Sequence, residues 1–292
     1  MILDGKKIQK EIIEELKKER EKFGKLRLIA FLIGEDKEKE DFLKVKEKIA
    51  KELNIDFRIY KIPETFSRKK LRKYISQIVR SDLVNGAIIQ LPLPEKFKTQ
   101  YFLNAIPPEK DVDCLSSRNL GKFFTDSWII RPPVVEVVDY IKNKFNLDFE
   151  NKIICLVGYG RLTGKPLVHY FCSQKSTVIV IRKNTENKEK FFKIADVVVS
   201  GAGKKNLVNE CKKGAILIDF GYSFEKGKIY GDINFEKLKT KAKIITPTPG
   251  GTGPILTAMI FKNLLKLDSL QKRWTQRESN PRLSHAKGTL YH

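Results

Sequence analysis

A buried strand that leads into a glycine-spaced turn and then a helix constrains the fold of this chain most. The apolar run Ile153-Ile-Cys-Leu-Val ends at Gly158, and further glycines follow at 160 and 164. Glycine lets the backbone approach a pyrophosphate closely, and a helix amino terminus supplies free N–H groups and the positive end of a dipole. This strand–turn–helix setting separates a dinucleotide site from an incidental glycine cluster. The segment predicts a nucleotide-binding α/β domain, with a tight turn that binds no ligand as the alternative.

The residues that end the next predicted strand indicate which dinucleotide binds. NAD-binding domains commonly carry Asp or Glu there, which holds the ribose hydroxyl groups. This chain instead has Arg182 and Lys183 directly after Ile181. Cations at this position favour a 2′-phosphate, so the sequence predicts NADP as the cofactor. The predicted cofactor-binding residues are Gly158, Tyr159, Gly160, Arg161, Gly164, Arg182 and Lys183.

Helical and extended patterns alternate along the whole chain. In the first half, extended segments at 26–33, 57–62 and 86–91 alternate with helical segments at 8–23, 42–53 and 71–79. In the second half, a helix at 134–144 precedes strands at 153–157, 177–181, 196–200 and 215–219, and the last helix spans 255–267. At 292 residues the chain is long enough for two domains. The pattern predicts an α/β fold with an amino-terminal three-layer domain and a doubly wound, Rossmann-type domain.

The chain is strongly basic, with a formal net charge of +22, which raises nucleic acid as a partner. The lysines, however, occur in nearly every segment and alternate with Glu in stretches such as 37–51, a pattern typical of solvated helix faces. No nucleic-acid-binding motif accompanies them. We therefore predict a generally basic surface and no nucleic-acid partner, with a nucleic-acid footprint as the alternative.

The cysteine pattern and the hydropathy predict a cytoplasmic protein. The four cysteines, at 114, 155, 172 and 211, form no Cys-x-x-Cys pair, which suits a reducing compartment. No apolar run approaches the roughly 18 residues that span a membrane, and residues 1–10 lack the apolar core of a signal peptide. We therefore predict a soluble protein with no membrane partner.

The sequence changes character near the carboxyl end. Residues 268–292 are polar, aperiodic and rich in Arg, and they contain His285 and His292. Either a genuine disordered tail or a spurious peptide, of the kind produced when a reading frame runs into a transfer-RNA gene, fits this composition. With His169 the only other histidine, we predict neither a metal site nor a Ser-His-Asp triad.

Three rigid strings occur in a fixed order: Gln-Leu-Pro-Leu-Pro at 90–94, Pro-Glu-Lys-Asp-Val-Asp at 108–113 and Thr-Pro-Thr-Pro-Gly-Gly-Thr-Gly-Pro at 246–254. Together they resemble the bifunctional methylenetetrahydrofolate dehydrogenase/cyclohydrolase family. The usual family forms are Gln-Leu-Pro-Leu-Pro, Lys-Asp-Val-Asp-Gly and Pro-Val-Pro-Gly-Gly-Val-Gly-Pro. The resemblance implies a folate domain of residues 1–125, completed by a helix at 254–267, a Rossmann domain at 126–253 and an active cleft between the two domains.

The resemblance also implies a substrate site. Lys46 matches the lysine of the family's Tyr-x-x-x-Lys and is therefore the implied catalytic residue, while Phe42 stands at the tyrosine position. Positions four apart on a helix share a face, so the ring and the amine project together. Gln90 ends a strand and can orient the Lys46 ammonium, and Asp113 matches the aspartate that binds the pterin. The loop that borders nicotinamide and folate in the family contributes Gly250, Gly251 and Pro254.

Some positions depart from the family pattern. Tyr159 and Gly160 replace the Arg-Ser of the usual cofactor loop. Cys114 replaces the usual Gly, so a local change of the backbone is expected there, and Asp111 is interpreted as a structural turn residue. Together with Phe42 and the missing Cys-Thr of the family's Pro-Cys-Thr-Pro, such changes favour the alternative of a catalytically impaired or non-catalytic basic relative that binds folate or a nucleotide.

The implied activities are two successive reactions. Hydride passes from the methylene carbon of 5,10-methylenetetrahydrofolate to NADP, and water then opens the resulting methenyl ring to give 10-formyltetrahydrofolate. Lys46 would assist the second step by proton transfer, by polarising water or by stabilising charge, and these roles stay open. The implied partners are tetrahydrofolate derivatives, with or without a polyglutamate chain, and a second copy of the chain in a homodimer.

Overall fold

The structure is a computed structural model, which describes the backbone of residues 1–278 and the side chains up to Gln271. The chain forms two compact units. The five-stranded unit consists of Met1–Ile13 and Pro132–Met259, and the three-stranded unit consists of Glu14–Arg131 and the described residues from Ile260 to Glu278.

Helices and strands alternate through most of the described chain. The helices are α1 (Gly5–Arg20), α2 (Lys37–Glu52), α3 (Arg68–Val79), α4 (Thr99–Leu103), α5 (Ser117–Phe124), α6 (Pro133–Lys144), α7 (Gly164–Ser173), α8 (Lys188–Ile194), α9 (Phe235–Leu238) and α10 (Thr252–Glu278). The strands are β1 (Arg27–Ile33), β2 (Asp56–Ile62), β3 (Gly86–Ile89), β4 (Ile153–Val157), β5 (Thr177–Ile181), β6 (Val197–Ser200), β7 (Ile216–Asp219), β8 (Ser223–Glu225), β9 (Lys228–Tyr230) and β10 (Ile244–Ile245). None of the helices within residues 1–278 is long and apolar enough to cross a membrane.

The three-stranded unit is built on a parallel sheet with the order β2-β1-β3. The central strand β1 is an almost continuous apolar run that is buried from Leu28 to Ile33, as expected for a strand with both faces covered. Helix α3 packs on this core through Leu71, Ile75 and Val79, which recur every four residues and are fully buried. This arrangement places Gln90 directly beyond the carboxyl end of β3.

The five-stranded unit is built on a parallel sheet with the order β10-β7-β6-β4-β5. The strands β5 and β6 lie on opposite sides of β4, so the direction of winding reverses between β4 and β6. Ligands of doubly wound sheets bind beyond the carboxyl ends of the strands at such a reversal. The prediction of an α/β protein with a doubly wound unit is confirmed.

The amino terminus belongs to a different unit from the one predicted. The prediction assigned residues 1–13 to the domain at 1–125, whereas in the structure they join the five-stranded unit. The reason is a set of backbone hydrogen bonds: Leu3 N donates to Ile245 O at 2.9 Å, and Ile245 N donates to Met1 O at 3.0 Å. These residues extend the edge of the five-stranded sheet. The unit boundary near residue 131 also differs from the predicted one at 125.

The last helix is longer than the sequence predicts. Helix α10 continues to Glu278, past the predicted end at 267. Asp268 is buried, and its Oδ1 accepts a hydrogen bond from Asn85 Nδ2 at 2.7 Å, while Gln271 Nε2 donates to Glu109 O at 2.8 Å. Packing therefore includes the first residues of the predicted tail, and residues 279–292 lie outside the described chain.

Candidate active site

Lys46 is a buried cation on α2. Only 9% of its surface is exposed, whereas the neighbouring Lys44 and Lys48 are exposed. Its Nζ donates a hydrogen bond to Gln90 Oε1 at 3.1 Å, so the predicted contact between helix α2 and the end of β3 is present. The half-buried Phe42 lies one helical turn earlier.

The Asp113 carboxyl lies close enough to Lys46 for each group to influence the pKa of the other. Burial raises the pKa of the Asp113 carboxyl to about 7, the Lys46 charge opposes this rise, and the nearby Asp111 adds to it. Burial also lowers the pKa of Lys46, and Asp113 opposes that shift. Desolvation thus displaces the pKa of each partner toward neutral pH, which is the range in which a group can both take up and release a proton.

Asp111 holds the loop that carries Asp113. Its buried carboxylate accepts hydrogen bonds from Leu115 N at 3.1 Å, Ser116 N at 2.8 Å and Asn119 Nδ2 at 3.1 Å. Asn119 Nδ2 also donates to Pro108 O at 2.9 Å. The structural interpretation of Asp111 is confirmed. Asn119 was not predicted, because a single Asn eight residues away carries no local signal.

Cys114 keeps a conformation that glycine adopts most readily. Its φ is +55°, in the left-handed region, which costs a residue with a Cβ on the order of 1–2 kcal/mol. The side chain is buried, and Sγ donates to Ile130 O at 3.7 Å. The backbone at position 114 therefore has a conformation that glycine would also adopt. The replacement of Gly by Cys adds strain beside Asp113.

In the five-stranded unit, a cavity of about 400 Å³ lies beyond the carboxyl ends of β4 and β6. Five of the seven predicted cofactor residues line it, namely Gly158, Tyr159, Gly160, Arg182 and Lys183. The predicted residues Arg161 and Gly164 are not among the lining residues. The sequence analysis missed other lining residues, which are Lys188, Gly201, Ala202, Lys204 and Leu207.

Two glycines of the cavity loop are required by the backbone. Gly158 has a φ of +94°, a conformation that residues with a side chain rarely adopt. A Cβ at Gly164 would lie 2.2 Å from Gly158 O, so the first turn of α7 can approach the loop only as glycine. Around Gly160, in contrast, a Cβ would meet nothing within 4 Å. Gly164 therefore does not line the cavity; its lack of a side chain allows the first turn of α7 to pack against the loop that does.

The cavity is electropositive. The lining residues include the exposed Arg182, Lys183 and Lys204 and the half-buried Lys188, and none of the described lining residues is acidic. The Arg182 backbone N–H donates to Thr185 Oγ1 at 2.9 Å, which fixes the turn after β5. Cations and free backbone groups around a concave surface fit an anionic ligand such as a pyrophosphate.

Asp232 holds the loop after β6, which lines part of this cavity. Its buried carboxylate accepts hydrogen bonds from Ser200 Oγ at 2.6 Å, Ala202 N at 2.6 Å, Gly203 N at 3.2 Å and Lys204 N at 2.6 Å. Ser200 is the last residue of β6, and the other three donors belong to the loop that follows it. The sequence offers only a weak sign of this loop, which is Gly201 directly after a buried strand.

The glycine loop, residues 246–254, also belongs to the five-stranded unit. Gly250 has a φ of +99°, and its carbonyl accepts a hydrogen bond from Gly5 N at 3.0 Å. A Cβ at Gly251 would lie 2.4 Å from Pro247 O, so this position also requires glycine. Pro254 O accepts from Gln9 Nε2 at 2.7 Å. Within residues 1–278, no group of three or more His, Cys, Asp or Glu side chains is placed to hold a metal ion.

Models of two protein domains match this chain. The model described as "Tetrahydrofolate dehydrogenase/cyclohydrolase, catalytic domain" matches residues 3–113. The model described as "Tetrahydrofolate dehydrogenase/cyclohydrolase, NAD(P)-binding domain" matches residues 133–272. A relative, the bifunctional protein FolD of Caldanaerobacter subterraneus, is 36% identical over 272 residues, which cover 91% of this chain and 96% of the relative.

Solved structures share this architecture. The bifunctional enzyme FolD of Campylobacter jejuni superimposes with a TM-score of 0.88 at 30% identity, covering 93% of this chain and 99% of that one. The methylenetetrahydrofolate dehydrogenase-cyclohydrolase of Trypanosoma brucei, complexed with NADP cofactor and inhibitor, superimposes with a TM-score of 0.88 at 26% identity. That match covers 94% of this chain and 98% of the Trypanosoma chain.

Proposed function

This chain belongs to the tetrahydrofolate dehydrogenase/cyclohydrolase family, and from that premise we propose that it catalyses two successive reactions of one-carbon metabolism. The first oxidises 5,10-methylenetetrahydrofolate to the 5,10-methenyl form with NADP as hydride acceptor. The second hydrolyses the methenyl form to 10-formyltetrahydrofolate. The observation that carries the proposal is the buried Lys46, hydrogen-bonded to Gln90 and under the electrostatic influence of Asp113, in a chain of this family.

Lys46 is the proposed catalytic residue of the hydrolysis. Opening of the methenyl ring needs a proton to move between water and a ring nitrogen, and a group with a pKa near the operating pH does this best. Burial lowers the pKa of Lys46 toward that range, and Asp113 limits the shift. Gln90 accepts a hydrogen bond from Nζ and so orients the amine. We therefore favour proton transfer over the other roles considered for Lys46.

The proposed substrate contacts divide between a ring and a carboxylate. Phe42 can pack against the planar pterin and aminobenzoyl groups, but it offers no hydroxyl group for a hydrogen bond. The Asp113 carboxylate can accept two N–H bonds from the amino-pyrimidine edge of the pterin. Gly250, Gly251 and Pro254 are the proposed substrate-side residues of the glycine loop.

The cavity beyond β4 and β6 is the proposed dinucleotide site. The residues present fit NADP: Gly158 permits close approach of a pyrophosphate, and Arg182 and Lys183 supply cations for a 2′-phosphate where NAD-specific domains carry an acidic residue. Tyr159, Gly160 and Arg161 are proposed to complete the loop. When bound, the nicotinamide ring of NADP supplies the hydride acceptor.

The remaining proposals concern the setting of the enzyme. We propose that it works in the cytoplasm, as a homodimer, on folates with or without a polyglutamate chain. Its cysteines are free, which agrees with a reducing compartment. The net charge of +22 would attract a polyglutamate chain. Size measurement in solution and comparison of mono- and pentaglutamate substrates would test these two points.

Two assays on the full chain test the proposed function. With 5,10-methylenetetrahydrofolate present, NADP reduction should proceed at a lower cofactor concentration than NAD reduction, and the methenyl form should be hydrolysed without any dinucleotide. A folded protein that binds folate and NADP but catalyses neither reaction would contradict the proposal in favour of a non-catalytic binding protein.

A further inference from the structure

All three threonines of the glycine loop meet one residue, Asp219, at the carboxyl end of β7. The Asp219 backbone N–H donates to Thr246 Oγ1 at 2.7 Å, and Thr252 Oγ1 donates to the Asp219 carbonyl oxygen at 2.5 Å. The Thr248 hydroxyl lies near the Asp219 carboxylate and favours its charged form. One strand end therefore holds the loop by two hydrogen bonds, with the third threonine beside its carboxylate.

The Asp219 carboxylate lies in a site shaped to keep it in place. It is 1% exposed, Oδ1 accepts from Gly221 N at 2.9 Å, and Oδ2 accepts from Ile233 N at 2.9 Å. A Cβ at Gly231 would lie 2.2 Å from Oδ2 and 2.8 Å from the Thr248 Cβ. Glycine at 231 thus leaves room for the carboxylate and the threonine together.

Two of these hydroxyl groups depart from the usual family form. In Pro-Val-Pro-Gly-Gly-Val-Gly-Pro, valines stand where this chain has Thr248 and Thr252. Threonine and valine have nearly the same shape but differ in one hydroxyl group, and a buried hydroxyl without a partner is destabilising. Here Thr252 donates to the Asp219 carbonyl oxygen and Thr248 lies beside the Asp219 carboxylate, so both substitutions place a hydroxyl group at that residue.

The segment between these threonines has no side-chain hydrogen bond of its own. Gly250 and Gly251 carry no side chain, and the main backbone contact of Gly250 is the hydrogen bond from Gly5 N. Glycine-rich segments lose the most conformational freedom when they become ordered. Hydrogen bonds on both sides of the glycine pair therefore decide whether the loop holds one conformation.

We infer that Asp219 is a positioning residue for the reaction, because it anchors the glycine loop through hydrogen bonds with Thr246 and Thr252 and through its contact with Thr248. The inference rests on the proposed function, in which Gly250, Gly251 and Pro254 border the reacting groups. Hydride transfer depends steeply on the placement of the donor and acceptor carbons. A looser loop should therefore lower kcat of the dehydrogenase step while leaving the dinucleotide cavity intact.

Amide hydrogen exchange of the ligand-free full chain tests the anchoring directly. Replacing one hydroxyl, in Thr248→Val or Thr252→Val, should speed exchange in peptides covering residues 246–254 by about fivefold, and the double variant should exceed about tenfold. Thr248→Ser and Thr252→Ser keep the hydroxyl group but lose a methyl group, and they should exchange like the unmodified protein. If packing held the loop, the valine variants would behave normally and the serine variants would not.

Thr177→Val is the matched control. Thr177 is exposed on the edge strand β5, and its side chain makes no hydrogen bond among the described residues. This variant should leave exchange of the glycine loop and both reaction rates unchanged. It separates the loss of a particular hydroxyl group from a general effect of placing valine on this unit.

Kinetics test the positioning role. The double valine variant should lose about tenfold in dehydrogenase kcat, while the Kd for NADP, measured by titration, stays within about twofold, because the loop after β4 is unaltered. Normal exchange in the double valine variant, or faster exchange with unchanged kcat, would overturn the inference. An unmodified protein without dehydrogenase activity would overturn the proposed function instead, and the exchange result would still decide the anchoring.

Discussion

The Lys46 site and the dinucleotide cavity both lie beyond the carboxyl ends of parallel strands, yet they are built on opposite principles. The first buries charged side chains, so desolvation displaces the pKa values of Lys46 and Asp113 toward neutrality. The dinucleotide cavity uses glycine backbone and exposed cations, whose charged groups remain in contact with water. The comparison teaches that the same sheet geometry can serve proton transfer or anion binding, depending on how much solvent reaches the strand ends.

Replacing Lys46 gives the largest expected effect and tests the buried side of this comparison. Lys46→Met should lower hydrolysis of methenyltetrahydrofolate by about 10²-fold or more, the loss typical of acid–base catalysis, and leave some dehydrogenase activity. Loss of the methenyl absorbance measures the rate. Lys44→Met is the control, since Lys44 is exposed on the same helix and forms an ion pair with the exposed Asp41. Unchanged hydrolysis in Lys46→Met would remove Lys46 from the active site.

A substitution in the glycine turn after β4 should have the opposite effect to Lys46→Met: it should impair cofactor binding and spare hydrolysis. In Gly164→Ala, the new Cβ would lie 2.2 Å from Gly158 O, so the loop must move. A displacement of about 1 Å can lower the rate of an enzyme by up to about 10²-fold. We expect NADP binding to weaken within that range while hydrolysis persists. Gly160→Ser restores the family residue at an open position and should change the Kd far less. Equal effects of the two variants would show that the backbone contact is unimportant.

The raised pKa of Asp113 predicts a pH dependence of folate binding. The carboxyl must be ionised to accept two N–H bonds from the pterin, and its pKa is about 7, above the ordinary value. Below pH 7 it is increasingly protonated, so folate affinity should fall by about tenfold between pH 8 and pH 6. Calorimetric titration in that interval measures the change. Asp113→Asn should bind weakly with little dependence on pH; an unchanged pH profile in this variant would assign the titration to another group.

The smallest expected effect concerns the exposed cations. Replacing Arg182 and Lys183 together with Gln should reduce the preference for NADP over NAD by about fivefold, since exposed ion pairs contribute little individually. Added salt should weaken NADP binding to the unmodified protein more than NAD binding. Competition titrations with both cofactors provide the measurement. Equal affinities of the unmodified protein for NADP and NAD would contradict the assignment of a 2′-phosphate contact to these residues.

Local patterns predicted the elements well and the contacts between distant segments poorly. Strands β4 and β5 have the predicted bounds, because short apolar runs bounded by polar or glycine residues carry their own signal. The predicted strand at 86–91 ends at Ile89, since the prolines of Leu-Pro-Leu-Pro cannot donate to a sheet. The hairpin of β8 and β9 was missed because its strands have three residues each.

The supports of both sites were the least predictable part. Asn119 reaches the Asp111 carboxylate, and Asp232 organises a loop that lies about thirty residues before it in the chain. Neither residue belongs to a motif or a periodic pattern. Their role arises only when folding brings a buried carboxylate against unpaired backbone N–H groups, which must find acceptors once water is excluded.

By itself the sequence determined the α/β alternation, the glycine turn after β4 and the order of the rigid strings, because these depend on neighbouring residues and on the conformations that glycine and proline allow. Tertiary structure decided which charged side chains are buried. Among closely spaced lysines on one helix, only packing buries Lys46 against Gln90 and Asp113, and only packing brings three threonines to Asp219. Desolvation, which changes a pKa or makes a hydrogen bond obligatory, is a property of the folded surroundings and is absent from the residue alone.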